Sequence, residues 1–189
     1  MTHSSWEVLT DGGVGVDVGA KLDGDDYVGM MLAAVGSFGK VYGFEPDPAG
    51  FAKLKEAYGD KPNVILEQKA VTNEDGPVPL IRDGSHYSLV HKGSSGLTAE
   101  GVTLDSYFKD TLKVDCVKVD VEGGEYKVLM GAREIIRRNP QIKFIVEMHQ
   151  NILDQNGISE QKMAGLVEEL GLDVLLGGGT WLLGTKGFG

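Results

Sequence analysis

Apolar positions along this chain fall into two alternating rhythms. Short buried-looking runs, each closing on a carboxylate, give way to stretches in which apolar residues recur at helical spacing. Val14 to Val18 is such a run and ends at Gly19; Tyr27, Val28, Met31, Leu32 and Val35 then repeat every three or four residues until Gly36. Residues 40–45 read as a second strand, followed by Asp47-Pro48 as an N-cap with proline at the first helical position. Phe51, Leu54 and Tyr58 mark that helix's inner stripe and Gly59 its stop.

The same alternation continues. Residues 63–67, 114–121 and 143–147 read as strands three, four and five. Between the last two, Val128, Leu129, Ala132, Ile135 and Ile136 share one helical face, and Asn139-Pro140 ends the helix. Residues 77–81 and 87–91 flank Asp83-Gly84 as a hairpin or paired edge strands, and 93–101 reads as a glycine/serine loop. Ser159 caps a final helix carrying Met163, Leu166, Val167 and Leu170. Residues 173–176 and 180–183 then pair antiparallel around Gly177-Gly178-Gly179. Strand–helix alternation at this interval predicts βαβ units and an α/β fold: a mostly parallel sheet covered on both faces. No repeat, linker or charge run divides the chain, so residues 1–189 are expected to form one domain with a short lead over 1–13.

Composition narrows the function. Glycine accounts for 28 of 189 residues, about twice the usual ~7%, which demands many tight turns or close approaches. The net charge of -10 argues against non-specific binding to nucleic acid or an anionic membrane. The single cysteine, Cys116, excludes an internal disulfide and a thiolate zinc cluster; on its strand it reads as an inert core thiol. Residues 1–6 lack the basic and apolar regions of a signal peptide, and no apolar run has the length of a membrane helix, so a cytoplasmic protein is the default expectation.

Chemistry enters at the strand ends, where open α/β sheets bind their ligands. Asp17, Glu45, Glu67, Asp120 with Glu122, and Glu147 lie at five consecutive ends. A single acid there is ordinary surface; five suggest one acidic crevice. The glycine turn after strand one reads Gly19-Ala20-Lys21-Leu22-Asp23-Gly24. A dinucleotide turn requires G-x-G-x-x-G, and Lys21 stands at the second glycine. A phosphate-binding loop requires Lys-Ser/Thr where Asp25-Asp26 stands. Acids around this turn suit a cationic, phosphate-free nucleoside. S-adenosylmethionine fits: Asp17 would receive its ammonium and Glu45 its ribose hydroxyls.

These residues also carry a family likeness. VDVGA at 16–20, VYGFEPDP at 41–48, KAVTNEDG at 69–76, VDCVKVDVEGGEYKVLMGA at 114–132 and FIVEMH at 144–149 resemble the FkbM family of S-adenosylmethionine-dependent methyltransferases. The resemblance implies a three-layer Rossmann-like class I methyltransferase fold, with a seven-stranded mostly parallel sheet and an antiparallel last strand. It implies Asp17, Gly19 and Ala20 beneath the methionine end of the cofactor and Glu45 on the ribose. Pro46, Gln68, Lys69 and Ala70 would border the adenine, and Asp120 would face the methionine part or the reaction centre. Family members typically methylate hydroxyls of sugars or natural products. The family usually reads D-V-G-A-N-x-G; here Lys21 and Asp23 replace the asparagine and the second glycine, so Lys21 is expected to point away or to pair with Asp23.

For a hydroxyl acceptor, His149 just beyond strand five is the first candidate base, with Asp120 and Glu122 next. A solvated strand-end histidine is an equal alternative. Asp120, Glu122, Glu147 and His149 also have the donor chemistry for Mg²⁺ or Mn²⁺, although a metal-free acidic site is the first expectation. Lys118, inside strand four, needs a carboxylate partner. Trp6 and Trp181 read as packing residues, His86 and His91 as loop residues and His3 as part of a mobile terminus. The partners expected are a small-molecule acceptor, not nucleic acid or membrane, and a second copy that covers the substrate. Two competing readings remain, a non-catalytic binding relic of the same fold and, more distantly, an NAD-dependent enzyme.

Overall fold

The computed structural model describes residues 8–22, 25–83, 86–88, 97–111 and 113–186, with backbone alone for 81–83 and 86–88. His3, Trp6, Asp23, Gly24, His91 and residues 93–96 lie outside the described residues, as does the side chain of His86.

Eighteen elements among the described residues follow the alternation read from the sequence. They are β1 (Val14–Val18), α1 (Tyr27–Val35), β2 (Lys40–Phe44), α2 (Pro48–Tyr58), β3 (Val64–Glu67), β4 (Lys69–Val71), β5 (Gly76–Asp83), β6 (His86–Ser88), β7 (Leu97–Val102), α3 (Leu104–Tyr107), β8 (Cys116–Val119), α4 (Glu125–Met130), α5 (Arg133–Arg138), β9 (Lys143–Glu147), α6 (Gln150–Gln155), α7 (Glu160–Glu169), β10 (Leu172–Leu176) and β11 (Thr180–Thr185). The main sheet has seven strands in the order β10-β11-β9-β8-β1-β2-β3. β3, β2, β1, β8 and β9 pair in parallel, and β11 is antiparallel to both β9 and β10. The sevenfold sheet with an antiparallel last strand is therefore as expected.

Period-two alternation places the core on both faces. Val16, Val18, Phe44, Val117, Val119, Phe144 and Val146 point into one cluster, closed by residues of α4, α5 and α7. Val41, Cys116 and Ile145 point the other way, toward Val28, Met31 and Val35 of α1 and Leu54 of α2. Each such side chain contributes about 1.5–3 kcal/mol on burial. Trp181 is a core residue, as read; its indole belongs to the first cluster.

The caps explain where helices begin. Asp47 accepts from the Gly50 amide and Ser159 from the Lys162 amide. Asp26, read from sequence only as an acid near the glycine turn, is the N-cap of α1: it accepts from the Gly29 amide at 3.0 Å and from the Tyr58 hydroxyl.

Three local expectations need correction. Much of the 93–101 segment expected to loop is strand: β7 starts at Leu97, pairs parallel with β4 and antiparallel with β5, and belongs to a second sheet of order β4-β7-β5-β6. The expected hairpin does form, as β5 with β6. The helix expected across 128–136 is split into α4 and α5 at Gly131. A Cβ there would lie 2.3 Å from the Thr72 carbonyl oxygen, so a glycine admits the neighbouring chain where the helix breaks. Strand four is also shorter than expected, spanning only Cys116–Val119.

Candidate active site

The parallel register brings the five acid-bearing strand ends side by side. Val18 is level with Phe44 and with Val119, and Phe44 is level with Glu67. The chain leaves β1 through Gly19 at φ +80°, a left-handed conformation that disfavours a side chain. A Cβ at Gly19 would lie 1.9 Å from the Asp120 carbonyl oxygen. The amides of Gly19 and Ala20 both donate to the Phe44 carbonyl, at 3.0 and 2.9 Å. This turn is thus clamped between the ends of β2 and β8, bare of side chain where it meets Asp120.

Asp17 and Glu45 flank that turn. Asp17 is fully buried, and neither of its carboxylate oxygens has a hydrogen-bond partner among the described residues. Burial raises it to about 6 despite the Lys118 ammonium 3.8 Å away. Glu45 accepts from the Asp47 amide at 2.7 Å through Oε1, and burial pushes it up to about 7. Two such acids are held in an unfavourable environment for their charge, which a ligand supplying donors would relieve.

Next to them is a lysine–carboxylate network. Lys118, 1% exposed, donates to Asp120 Oδ2 at 3.1 Å and sits 4.2 Å above the centre of the Tyr27 ring. It has the carboxylate partners that its burial in β8 required. Lys21 lies 2.9 Å from Asp120 Oδ2 and 3.6 Å from Glu122 Oε1. Lys21 does not point away, as one expectation had it, but turns inward to the acids after β8; its other expected partner, Asp23, lies outside the described residues. Burial pushes Asp120 up, but Lys118 and the hydrogen bond from Lys21 outweigh it and hold the carboxyl below its usual range.

His149 completes the cluster, in the turn after β9. Its Nδ1 is 2.7 Å from Oε1 of Glu125, a fully buried acid that opens α4 and also accepts from the Gly123 amide at 3.0 Å. Its Nε2 faces Glu122 Oε2 at 3.3 Å and Asp120 Oδ1 at 3.7 Å. The hydrogen bond to Glu125 raises His149 to about 9, with the charges of Glu125, Glu122 and Asp120 adding to it. In the free protein the imidazole therefore carries a proton at neutral pH and is a donor, a different state from the poised base anticipated for it. Glu122 has φ +51°, the one positive φ of a non-glycine among the described residues. Such a conformation costs on the order of 1 kcal/mol and persists where surrounding structure enforces it.

The expected adenine border divides. Pro46 is half-buried and Gln68 exposed beside the ends of β2 and β3. Ala70 is 1% exposed within β4, and the Lys69 ammonium pairs with Glu100 across the β4–β7 register at 2.8 Å. Glu67 accepts from the Tyr107 hydroxyl at 2.8 Å, tying the end of β3 to α3. Sequence reasoning missed Glu125 as the anchor of His149. The available signal was an acid after Gly123-Gly124 at a helix start, a position where negative charge is favoured.

The strand order, the bare turn and the acid row define a Rossmann-like class I methyltransferase fold. The methyltransferase FkbM domain matches residues 17–174, and the chain belongs to that family. It is 26% identical over 158 residues to the hexuronic acid methyltransferase AglP of Haloferax volcanii, covering 77% of this chain and 64% of that protein. Its backbone resembles the FkbM methyltransferase of Methylobacillus flagellatus KT, with TM-score 0.60, 15% identity and coverage of 93% of this chain and 43% of that one. It also resembles Aeropyrum pernix fibrillarin, whose structure holds natively bound S-adenosyl-L-methionine, with TM-score 0.55, 13% identity and coverage of 92% and 66%. The chain thus spans about two thirds or less of the length of these proteins.

Proposed function

We propose that this chain is an S-adenosylmethionine-dependent O-methyltransferase acting on a hydroxyl of a sugar-like small molecule, with residues 1–189 working as one methyltransferase domain. The observation that carries the reading is the pairing of Asp17 and Glu45 across the left-handed Gly19 turn. One acid is fully buried, with neither oxygen accepting a hydrogen bond from the described residues, and the other is raised to about 7. The residues present fit the cofactor: an ammonium would supply the donors Asp17 lacks, ribose hydroxyls would donate to Glu45, and the side-chain-free turn gives room beside Asp120. Pro46, Gln68 and the backbone at Lys69 and Ala70 would border the adenine. The match to a hexuronic acid methyltransferase supports a carbohydrate acceptor.

When bound, S-adenosylmethionine supplies an activated methyl group, whose transfer to a hydroxyl oxygen releases one proton per turnover. Positioning that oxygen is the task of the cluster after β8 and β9. His149, held by Glu125, presents an Nε2 donor to an acceptor oxygen. Glu122, with 23% of its side chain exposed against 3% for Asp120, is the more open proton acceptor. Lys21 and Lys118 hold Asp120 ionised and in place.

Calorimetry with S-adenosylhomocysteine tests the cofactor half of this reading. Micromolar-range binding by the wild type is expected, with loss in Asp17→Ala and Glu45→Ala; normal binding by both variants would refute the assignment. A panel of hexosides and hexuronides, assayed by mass spectrometry for a gain of one methyl group, tests the acceptor half.

A further inference from the structure

We propose that Asp120, Glu122 and His149 form a divalent-cation site of the Mg²⁺ or Mn²⁺ type, which receives the acceptor's hydroxyl oxygen. One donor atom from each residue lies within 4.8 Å of the others. Cis ligands of an octahedral ion at ~2.1 Å sit about 3.0 Å apart. His149 Nε2 is already 3.3 Å from Glu122 Oε2 and 3.7 Å from Asp120 Oδ1. Closing the His149–Asp120 contact takes about 0.7 Å of movement, and the closed set would leave three octahedral positions for water and the acceptor.

Two further observations point to a ligand at this place. Asp120 is 5% exposed, and its Oδ1, the atom turned toward His149, has no hydrogen-bond partner among the described residues while its Oδ2 is held by Lys118. A buried carboxylate oxygen aimed at a neighbouring donor set is costly unless something fills the gap. On the far side of the imidazole, Glu125 lies 2.7 Å from Nδ1. A metal ion would displace the proton that Nε2 carries in the free protein; with the remaining proton on Nδ1, the Glu125 contact fixes the tautomer that turns the Nε2 lone pair toward the two carboxylates, the carboxylate–histidine arrangement that supports metal-bound imidazoles. The left-handed backbone at Glu122 adds the third ligand to the same side.

Lys21 is the internal rival. Its ammonium lies 2.9 Å from Asp120 Oδ2 and 3.6 Å from Glu122 Oε1, on the opposite oxygens of the same two carboxylates. Those are not the oxygens that face His149, yet the lysine's charge opposes a second cation nearby. A bound divalent ion would acidify a coordinated hydroxyl, so that the oxygen–hydrogen bond breaks, the proton passes to Glu122 or to water, and the oxygen is ready for the methyl group. This part of the inference rests on the O-methyltransferase reading; cation binding itself does not.

The experiment is titration of the whole chain with Mn²⁺ near neutral pH, followed by loss of the free-ion electron paramagnetic resonance signal. One Mn²⁺ per chain is expected, displaced by excess Mg²⁺. Glu122→Gln should weaken binding at least tenfold with an unchanged melting temperature, and His149→Gln should weaken binding at least as much. Lys21→Met should tighten it severalfold, a gain that a merely structural lysine would not give. Absence of binding at millimolar Mn²⁺, or equal affinity in Glu122→Gln, would overturn the site. Mn²⁺ binding together with methyl transfer indifferent to chelator would overturn the acceptor role. S-adenosylhomocysteine binding measured without metal reports on the parent reading separately.

Discussion

The pH dependence of cofactor affinity is the most direct consequence of the strand-end electrostatics. Glu45 is raised to about 7 in the free protein, by burial first and then by the charges of Asp47 and Asp17. In the proposed binding mode Glu45 accepts two ribose hydroxyls, which requires the carboxylate, so only the ionised fraction would be competent to bind and the apparent dissociation constant would scale as the inverse of that fraction. With a value of about 7, Glu45 is ~91% ionised at pH 8 and ~9% ionised at pH 6, a loss of about tenfold in affinity or ~1.4 kcal/mol. Asp17, at about 6, is about half protonated at pH 6 and contributes roughly another twofold. Calorimetry with S-adenosylhomocysteine in buffers of different ionisation enthalpy reads both quantities. Affinity should fall ~10–20-fold from pH 8 to pH 6, and binding near pH 7 should release about half a proton. In Glu45→Gln, affinity should be lower throughout and keep only the ~twofold residue due to Asp17. An equally steep pH profile in wild type and Glu45→Gln would refute the assignment of Glu45 to the ribose.

Further outcomes follow from the same geometry. Gly19→Ala should cost about 2–5 kcal/mol, combining the left-handed backbone penalty with overlap at the Asp120 carbonyl; thermal melting should show a drop of roughly 5–15 °C, and an unchanged midpoint would mean the turn is not so confined. Lys118→Met leaves Asp17 and Asp120 buried without their shared cation and should destabilise by about 3–5 kcal/mol in chemical denaturation, with partial recovery when Asp17→Asn is added. Glu125→Gln should bring the His149 imidazole down from about 9 toward the ordinary histidine range, read by nuclear magnetic resonance titration of the ring; a value still near 9 would remove Glu125 as the cause. Because Asp17 and Glu45 are raised on folding, each stabilises the free protein at low pH, and that contribution disappears as pH rises through about 6 and about 7. Asp17→Asn should therefore stabilise the free protein above pH 7, measured by thermal melting.

Much of this architecture is carried by local pattern. Alternating apolar residues such as Val16, Val18, Val117 and Val119 specify buried strands with two covered faces, because a period of two places neighbours on opposite sides of a sheet. Asp47-Pro48 and Ser159 mark helix starts because capping depends on residues a few positions away. The acid row was legible for the same reason: each carboxylate follows its own strand. Short-range pattern was silent where contacts span the chain. The break at Gly131 depends on the Thr72 carbonyl, and β7 exists because β4 and β5 offer it ladder partners.

Within the site, sequence supplied the identities of Asp17, Glu45, Asp120, Glu122 and His149, while folding decided their states. Lys21 turns to Asp120 across a hundred residues, Glu125 captures the His149 ring from the start of another helix, and Lys118 is shared by Asp17 and Asp120. Residue type sets which proton a group can carry, and it is written in the chain. Whether it carries that proton depends on burial and on charges within a few ångströms, and those neighbours are assembled only when the strand ends converge.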